Sequence, residues 1–181
     1  MPPNYIQIMA CSLTQGYSLG ACKDGVGGIK EVYFIEFTNV SAMTEASGVI
    51  TALTKETGTR FYKYQLQRET GTFKETIESN PQNNTVAYRP ELTVVLNRLQ
   101  TAVRNEILLL AKNLLMAVVK DRNDKYWLLG RTGGLDLTAG EAGPGTAATD
   151  RSGYSLTFTG VEPELGIEVD STVAAGLETP A

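Results

Sequence analysis

The chain has no histidine, only two cysteines and one tryptophan, and no excess of positive charge. Without imidazole there is no ordinary neutral-pH base, no Ser-His-Asp or Cys-His constellation, and no histidine-ligated zinc. Two cysteines are too few to hold a structural zinc ion. A formal net charge of −4 argues against a general nucleic-acid binder, which needs a basic excess. Long apolar runs are missing too. The longest, Ile107 to Val119, is interrupted by Lys112 and Asn113 and does not read as a membrane span. The first eleven residues carry no basic segment and no apolar core, so no signal peptide is expected. Cys11 and Cys22 then read either as free thiols in a reducing compartment or as one disulfide pinning a glycine-rich loop.

What remains is a chain of 181 residues, rich in threonine and glycine. That length is one ordinary domain, or a domain with a tail, and it buries a core without metal or disulfide staples. Threonine and glycine favour strands and turns. Residues 1–28 are punctuated by Gly16, Gly20, Gly25, Gly27 and Gly28 and read as an arm or loop. Ile29 to Phe37 reads as a strand, Thr38 to Ser47 as a turn-like segment, and Val49 to Leu53 as a short strand.

Arg60 to Arg68 alternates with period two, and Thr72 to Glu78 is a further strand candidate. Ser79 to Asn84 is a turn by composition. From Thr85 to Asn97 the apolar residues Val86, Tyr88, Leu92, Val94 and Leu96 share one parity, and Pro90 on the same parity marks an edge or bulge. The reading is a long antiparallel hairpin with one dry and one wet face. Its wet face carries Lys63, Gln65, Gln67, Lys74, Thr76, Glu78, Arg89, Glu91 and Thr93. That face is either a plain solvent-facing surface or the lining of a water-filled channel, if several copies close into a ring.

Leu99, Val103, Ile107, Leu110, Leu114 and Val118 recur every three or four residues, which predicts a helix over 98–120 with Asn97 and Gln100 as a capping box. Its apolar surface is wider than one stripe, so the same residues are candidates for core packing and for contact with a neighbouring subunit. Lys125 to Gly130 and Tyr154 to Thr159 read as strands, Leu135 to Thr138 as a short strand, and Ala139 to Asp150 as a glycine-rich loop. Residues 162–181 are acidic and weakly patterned and read as an extended tail. The domain proper is then 29–161. The fold class expected is α+β, mainly β: an antiparallel sandwich or barrel with one long amphipathic helix and a long hairpin.

No motif supplies chemistry. Gly25-Val26-Gly27-Gly28 precedes a strand rather than a helix, unlike a dinucleotide loop, and Gly140 to Gly145 lacks the Lys-Ser/Thr pair of a phosphate loop. Asp121, Asn123 and Asp124 lack the glycine and terminal glutamate of a calcium loop. Glu75/Glu78 and Glu162/Glu164 read as solvated carboxylates, and Phe61, Tyr62 and Tyr64 as packing rather than base stacking. The expectation is a protein that is not an enzyme, with no catalytic residue, metal or cofactor.

The order of elements, a sheet with a long hairpin, one apolar helix, more strands and a pliable terminus, resembles the tail tube family of tailed bacteriophages. The segments Met9 to Thr14, Lys125 to Gly130 and Asp150 to Pro163 are similar to virion proteins of phages infecting Bacteroidetes. The resemblance covers about residues 9–165 and matches no catalytic signature. It implies a homo-oligomeric ring, a hexamer, stacking into a tube in the virion after synthesis in the host cytoplasm. Such a tube contacts other tail proteins, conducts double-stranded DNA without gripping it, and involves no membrane. Tail terminator and connector rings share the layout. A monomeric carbohydrate- or ligand-binding module, with Tyr33, Tyr62, Tyr64, Tyr126 and Trp127 as an aromatic platform, is the alternative of a different class.

Overall fold

A computed structural model of the chain describes residue 13, residues 15–20 and residues 22–181. Cys11, and with it the question of its pairing with Cys22, lies outside the described residues. In chain order the elements are β1 (Ile29–Glu36), β2 (Val40–Ala46), β3 (Val49–Lys55), β4 (Tyr62–Gln65), β5 (Gly71–Asn80), β6 (Thr85–Asn97), α1 (Thr101–Leu110), β7 (Leu115–Asp121), β8 (Tyr126–Leu129), β9 (Asp136–Gly143), β10 (Gly153–Thr159), β11 (Ile167–Val169) and α2 (Ser171–Ala175). The strands form two packed sheets. One has seven strands in the order β2-β3-β11-β8-β7-β1-β4; the other has four, β5-β6-β10-β9. The mainly-β class expected from composition is the class found.

Two apolar clusters hold the layers together. Between the sheets lie Val32, Phe34, Leu92, Val94, Ala117, Val119, Leu156 and Phe158. Phe34 is central, with its ring 4.6 Å from Phe158 and 5.4 Å, edge-on, from Tyr64. On the other side of the seven-stranded sheet, Tyr33, Ile35, Met116, Val118 and Leu128 pack under Ala174 and Leu177. The larger sheet is therefore dry on both faces at β7 and β1, and the smaller is dry on one.

That double burial explains the main correction to the sequence reading. The helix expected over 98–120 ends at Leu110, and residues 115–121 form the interior strand β7. Leu115, Ala117 and Val119 serve one cluster while Met116 and Val118 serve the other. A strand buried on both faces is a continuous apolar run, and periodicity alone does not separate it from a buried helix. The helix stops because Asn113 folds back on it, donating from its side-chain amide to the Leu109 carbonyl (3.1 Å). Phe37 N–H then takes the Leu114 carbonyl (2.9 Å) and draws the chain into the sheet. Gln100, not Asn97, is the N-cap, and it makes no side-chain capping bond.

Three further expectations change. Thr38 to Ser47 holds strand β2, joined to β3 through Ser47 and Gly48, both at positive φ (54° and 78°), the conformation of a tight two-residue hairpin. Residues 139–143, expected in a loop, belong to β9. The tail over 162–181 is not extended: β11 inserts between β3 and β8, and α2 follows, with Asp170 accepting from Thr172 N–H (2.8 Å) as its N-cap. Lys55 Nζ donates to the carbonyls of Gly176 (2.9 Å), Leu177 (3.2 Å) and Thr179 (2.5 Å), closing the end of α2. Sparse apolar residues, Ile167, Val169, Ala174 and Leu177, do the packing, and no periodic stripe announces them.

Candidate assembly surfaces

The hairpin expected from the sequence exists. β5 and β6 pair in unbroken register from Gly71↔Val94 to Asn80↔Thr85. Its tip is closed by Asn80, whose side-chain oxygen accepts from Gln82 N–H (3.0 Å) and Asn83 N–H (3.2 Å). Paired residues share a face, so Thr72, Lys74, Thr76 and Glu78 stand beside Thr93, Glu91, Arg89 and Ala87. Opposite them, Pro90, Leu92 and Val94 turn into the core. Six of the nine candidate channel residues (Lys74, Thr76, Glu78, Arg89, Glu91 and Thr93) are therefore on one wall.

The remaining three are elsewhere. Lys63 and Gln65 belong to β4, which pairs with β1 in the other sheet, and Gln67 follows it. Lys63 is opposite Tyr33 and sits between Glu31 (3.1 Å) and Glu178 (3.8 Å). The alternation of residues 60–68 was legible; the sheet they join was not.

The wall extends beyond the hairpin. Through β10, Thr93 is opposite Thr157 and Glu91 opposite Thr159. Through β9, Thr159 meets Asp136 and Ser155 meets Glu141. Thr138, at the register shift, links to Thr159 hydroxyl to hydroxyl (3.2 Å). Thr93 and Thr157 hydroxyls lie 3.4 Å apart. The result is a four-strand-wide polar surface of threonines and a few charges. Its two cations are paired across the hairpin: Lys74 Nζ is 3.1 Å from Glu91, and Arg89 Nε is 2.7 Å from Glu78. With Asp136 and Glu141 added, the wall carries two cations and four carboxylates, a net of −2. The clean alternation of residues 154–159 was the sequence signal for this extension.

The helix candidates divide. Val103, Ile107 and Leu110 pack on the inter-sheet core, whereas Leu99 lies outside the helix and is exposed. Leu114 sits in the turn against Gly134, which holds φ 75°, and Val118 is fully buried in β7. Leu108 and Leu109 remain largely exposed on α1.

The aromatic platform of the alternative reading is not assembled. Tyr33 is buried, donating its hydroxyl to Glu31 (2.7 Å), and Tyr64 packs on Phe34 from the opposite face. Burial, with Glu106 nearby, pushes the Tyr64 phenol up to about 12. Trp127 Nε1–H is held by Asp121 (3.2 Å), and Lys120 lies over Tyr126.

One carboxylate expected from the sequence to be solvated is buried instead, because backbone N–H groups satisfy it. Glu162, 5% exposed, accepts from the backbone N–H groups of Thr132 (2.9 Å) and Gly133 (2.8 Å). Its own backbone exchanges two hydrogen bonds with Tyr88. Glu75 reaches the same strap, accepting from Gly166 N–H (2.6 Å); burial raises its pKa, Gly166 opposes that, and Glu162 adds to it. These bonds lash the middle of the hairpin to the loop after β8 of the larger sheet.

Fold and wall together define a two-sheet, mainly-β protein with a wide polar sheet face. Comparison with protein-family models, with curated proteins and with solved structures returns no match to the chain.

Proposed function

We propose that this chain is a non-enzymatic structural subunit that closes into rings, of the tail tube class that its sequence resembles, with the polar wall lining the bore. One observation carries the reading: the outer face of the four-stranded sheet is mostly polar, broken only by small or single apolar residues such as Ala87, Val95 and Ala139, and among the described residues both its edges, β5 and β9, are free. Neighbouring strands in it are all antiparallel, so β9 runs opposite to β5. Rotation of one copy onto the next therefore brings β9 against β5 in antiparallel sense, a heterologous contact that closes a ring and removes both edges. Six copies of four strands make a barrel of 24 strands. At a spacing of about 4.8 Å and a tilt of about 40° its backbone diameter is on the order of 50 Å, wide enough for a DNA duplex to pass.

The wall's charge suits a conduit. Counterion release makes unpaired lysine and arginine grip phosphate. Here both wall cations are matched by carboxylates, and Lys63 is on the other sheet. Light scattering on the purified full chain tests the reading: closed multiples of the subunit mass support it, and a monomer at high concentration overturns it. Long stacked tubes favour the tube subunit over a terminator or connector ring.

A further inference from the structure

Both cations of the polar wall face carboxylates, but two arginines at one end of the seven-stranded sheet do not. A cleft of about 290 Å³ opens there, between the start of β1, the chain joining β4 to β5 and the turn joining β7 to β8. Ile29, 3% exposed, and Leu66 give it an apolar floor. Lys30, Gln67 and Arg68 are exposed around it, and Arg122 is half-buried in its wall. Among the described residues no carboxylate lines it. Gln67, expected in a channel, borders this cleft instead.

The walls are held by the chain itself. Leu66 N–H donates to the Lys30 carbonyl (3.0 Å), and the Thr70 hydroxyl closes the next turn on the Gln67 carbonyl (2.8 Å). The Asn123 side chain accepts from Val26 N–H (2.8 Å) and donates to the Val26 carbonyl (3.0 Å), and Arg122 N–H donates to the Gly28 carbonyl (3.1 Å). Gly28 makes room for the Arg122 side chain: it holds φ 98°, and a Cβ on it would come 3.2 Å from Arg122 Nε. Arg122 thus lies across bare backbone, in a place a larger residue would crowd. Lys30 is matched by Asp124 (2.8 Å). The side chains of Arg68 and Arg122 make no ion pair among the described residues.

We propose that this cleft binds a small phosphate monoester, with Arg68 and Arg122 holding the phosphate oxygens and the apolar part of the ester resting on Ile29 and Leu66. Guanidinium forks match oxyanions by paired, charge-assisted hydrogen bonds. Two uncompensated charges suit a phosphate monoester, which carries about −1.5 to −2 at neutral pH, better than a carboxylate, which carries a single charge. The cleft is at the small end of ligand sites, so the molecule is no larger than a mononucleotide. The inference goes beyond the ring reading and does not depend on it.

Equilibrium dialysis of the full-length chain against labelled adenosine monophosphate tests it. One molecule is expected to bind per chain, displaced by phenyl phosphate but not by adenosine or acetate at the same concentration. Arg68→Gln and Arg122→Gln are each expected to weaken binding by about ten- to a hundredfold, the loss of a charged hydrogen-bonding partner. Arg122→Lys is expected to weaken it less than Arg122→Gln, because the charge stays while the fork goes. Lys112→Gln removes an exposed charge outside the cleft and is expected to change nothing. Circular dichroism melts check that each variant folds. No binding at millimolar adenosine monophosphate overturns the proposal. So does displacement by adenosine, equal displacement by inorganic phosphate, unchanged affinity in both glutamine variants, an equal loss in Lys112→Gln, or capture of a short DNA duplex without the mononucleotide.

Discussion

Replacing Leu177 by alanine removes a side chain that is 1% exposed and packed with Phe61, Ile50 and Met116 beneath the seven-stranded sheet. Its backbone cannot drift to fill the space. The Leu177 carbonyl accepts from Phe61 N–H (3.0 Å) and from Lys55 Nζ (3.2 Å), and Asp170 caps the helix before it. A cavity in a pinned site relaxes little, so the cost belongs in the upper half of the Leu→Ala range, about 3–5 kcal/mol. For a domain of this size each kcal/mol lowers the midpoint by about 2–4 °C, which gives a drop of about 6–20 °C. A circular dichroism melt reads this directly, and urea titration gives the free energy. A Leu177→Ala variant melting within 2 °C of the parent would refute the argument that the C-terminal segment is part of the core. Deleting residues 170–181 is expected to go further, leaving Ile50, Met116 and Val118 open to water and the chain unfolded or aggregated.

On α1, Ile107→Asp places a charge against the inter-sheet core and is expected to abolish folding, whereas Leu109→Asp at an exposed position is expected to leave the melt unchanged; equal effects would show the helix facing another way. Two carboxylates bend the pH profile in opposite directions. At Glu31 burial raises the pKa, but the Tyr33 hydroxyl and Lys63 outweigh it and the net shift is downward, so its contribution is present above the ordinary carboxylate range and is lost as pH falls through it. At Glu75 burial raises the pKa, so its contribution is greatest in acid and declines as pH rises above that range. Glu31→Gln is therefore expected to flatten the acid limb of a stability–pH profile and Glu75→Gln to hold or raise stability at neutral pH; the opposite pattern would contradict the two environments.

Strands with one wet face were legible. β6 and β10 alternate because the core takes every second residue, and the parity of Leu92, Val94, Leu156 and Phe158 gives the face correctly. β7 was not legible, because Leu115 to Val119 feeds two cores and leaves no polar positions to mark a period of two. The tail was misread for a related reason. Ile167, Val169, Ala174 and Leu177 are too sparse for any repeat, yet each fills a place on a sheet that already exists. Of the candidate wall, the hairpin pairs followed from local sequence. The share from β9 and β10, and the removal of Lys63 to the other sheet, depend on which strands become neighbours, and alternation carries no such information.

Imaging of rings marked on Thr157 tests the central claim most directly. Thr157 lies at the centre of the polar wall, opposite Thr93 and Ala139. With Cys11 and Cys22 replaced by serine and Thr157→Cys carrying an electron-dense maleimide, class averages of the purified protein are expected to show closed rings with the added density at the inner rim. Density on the outer rim, or solitary subunits with no ring, would contradict the account.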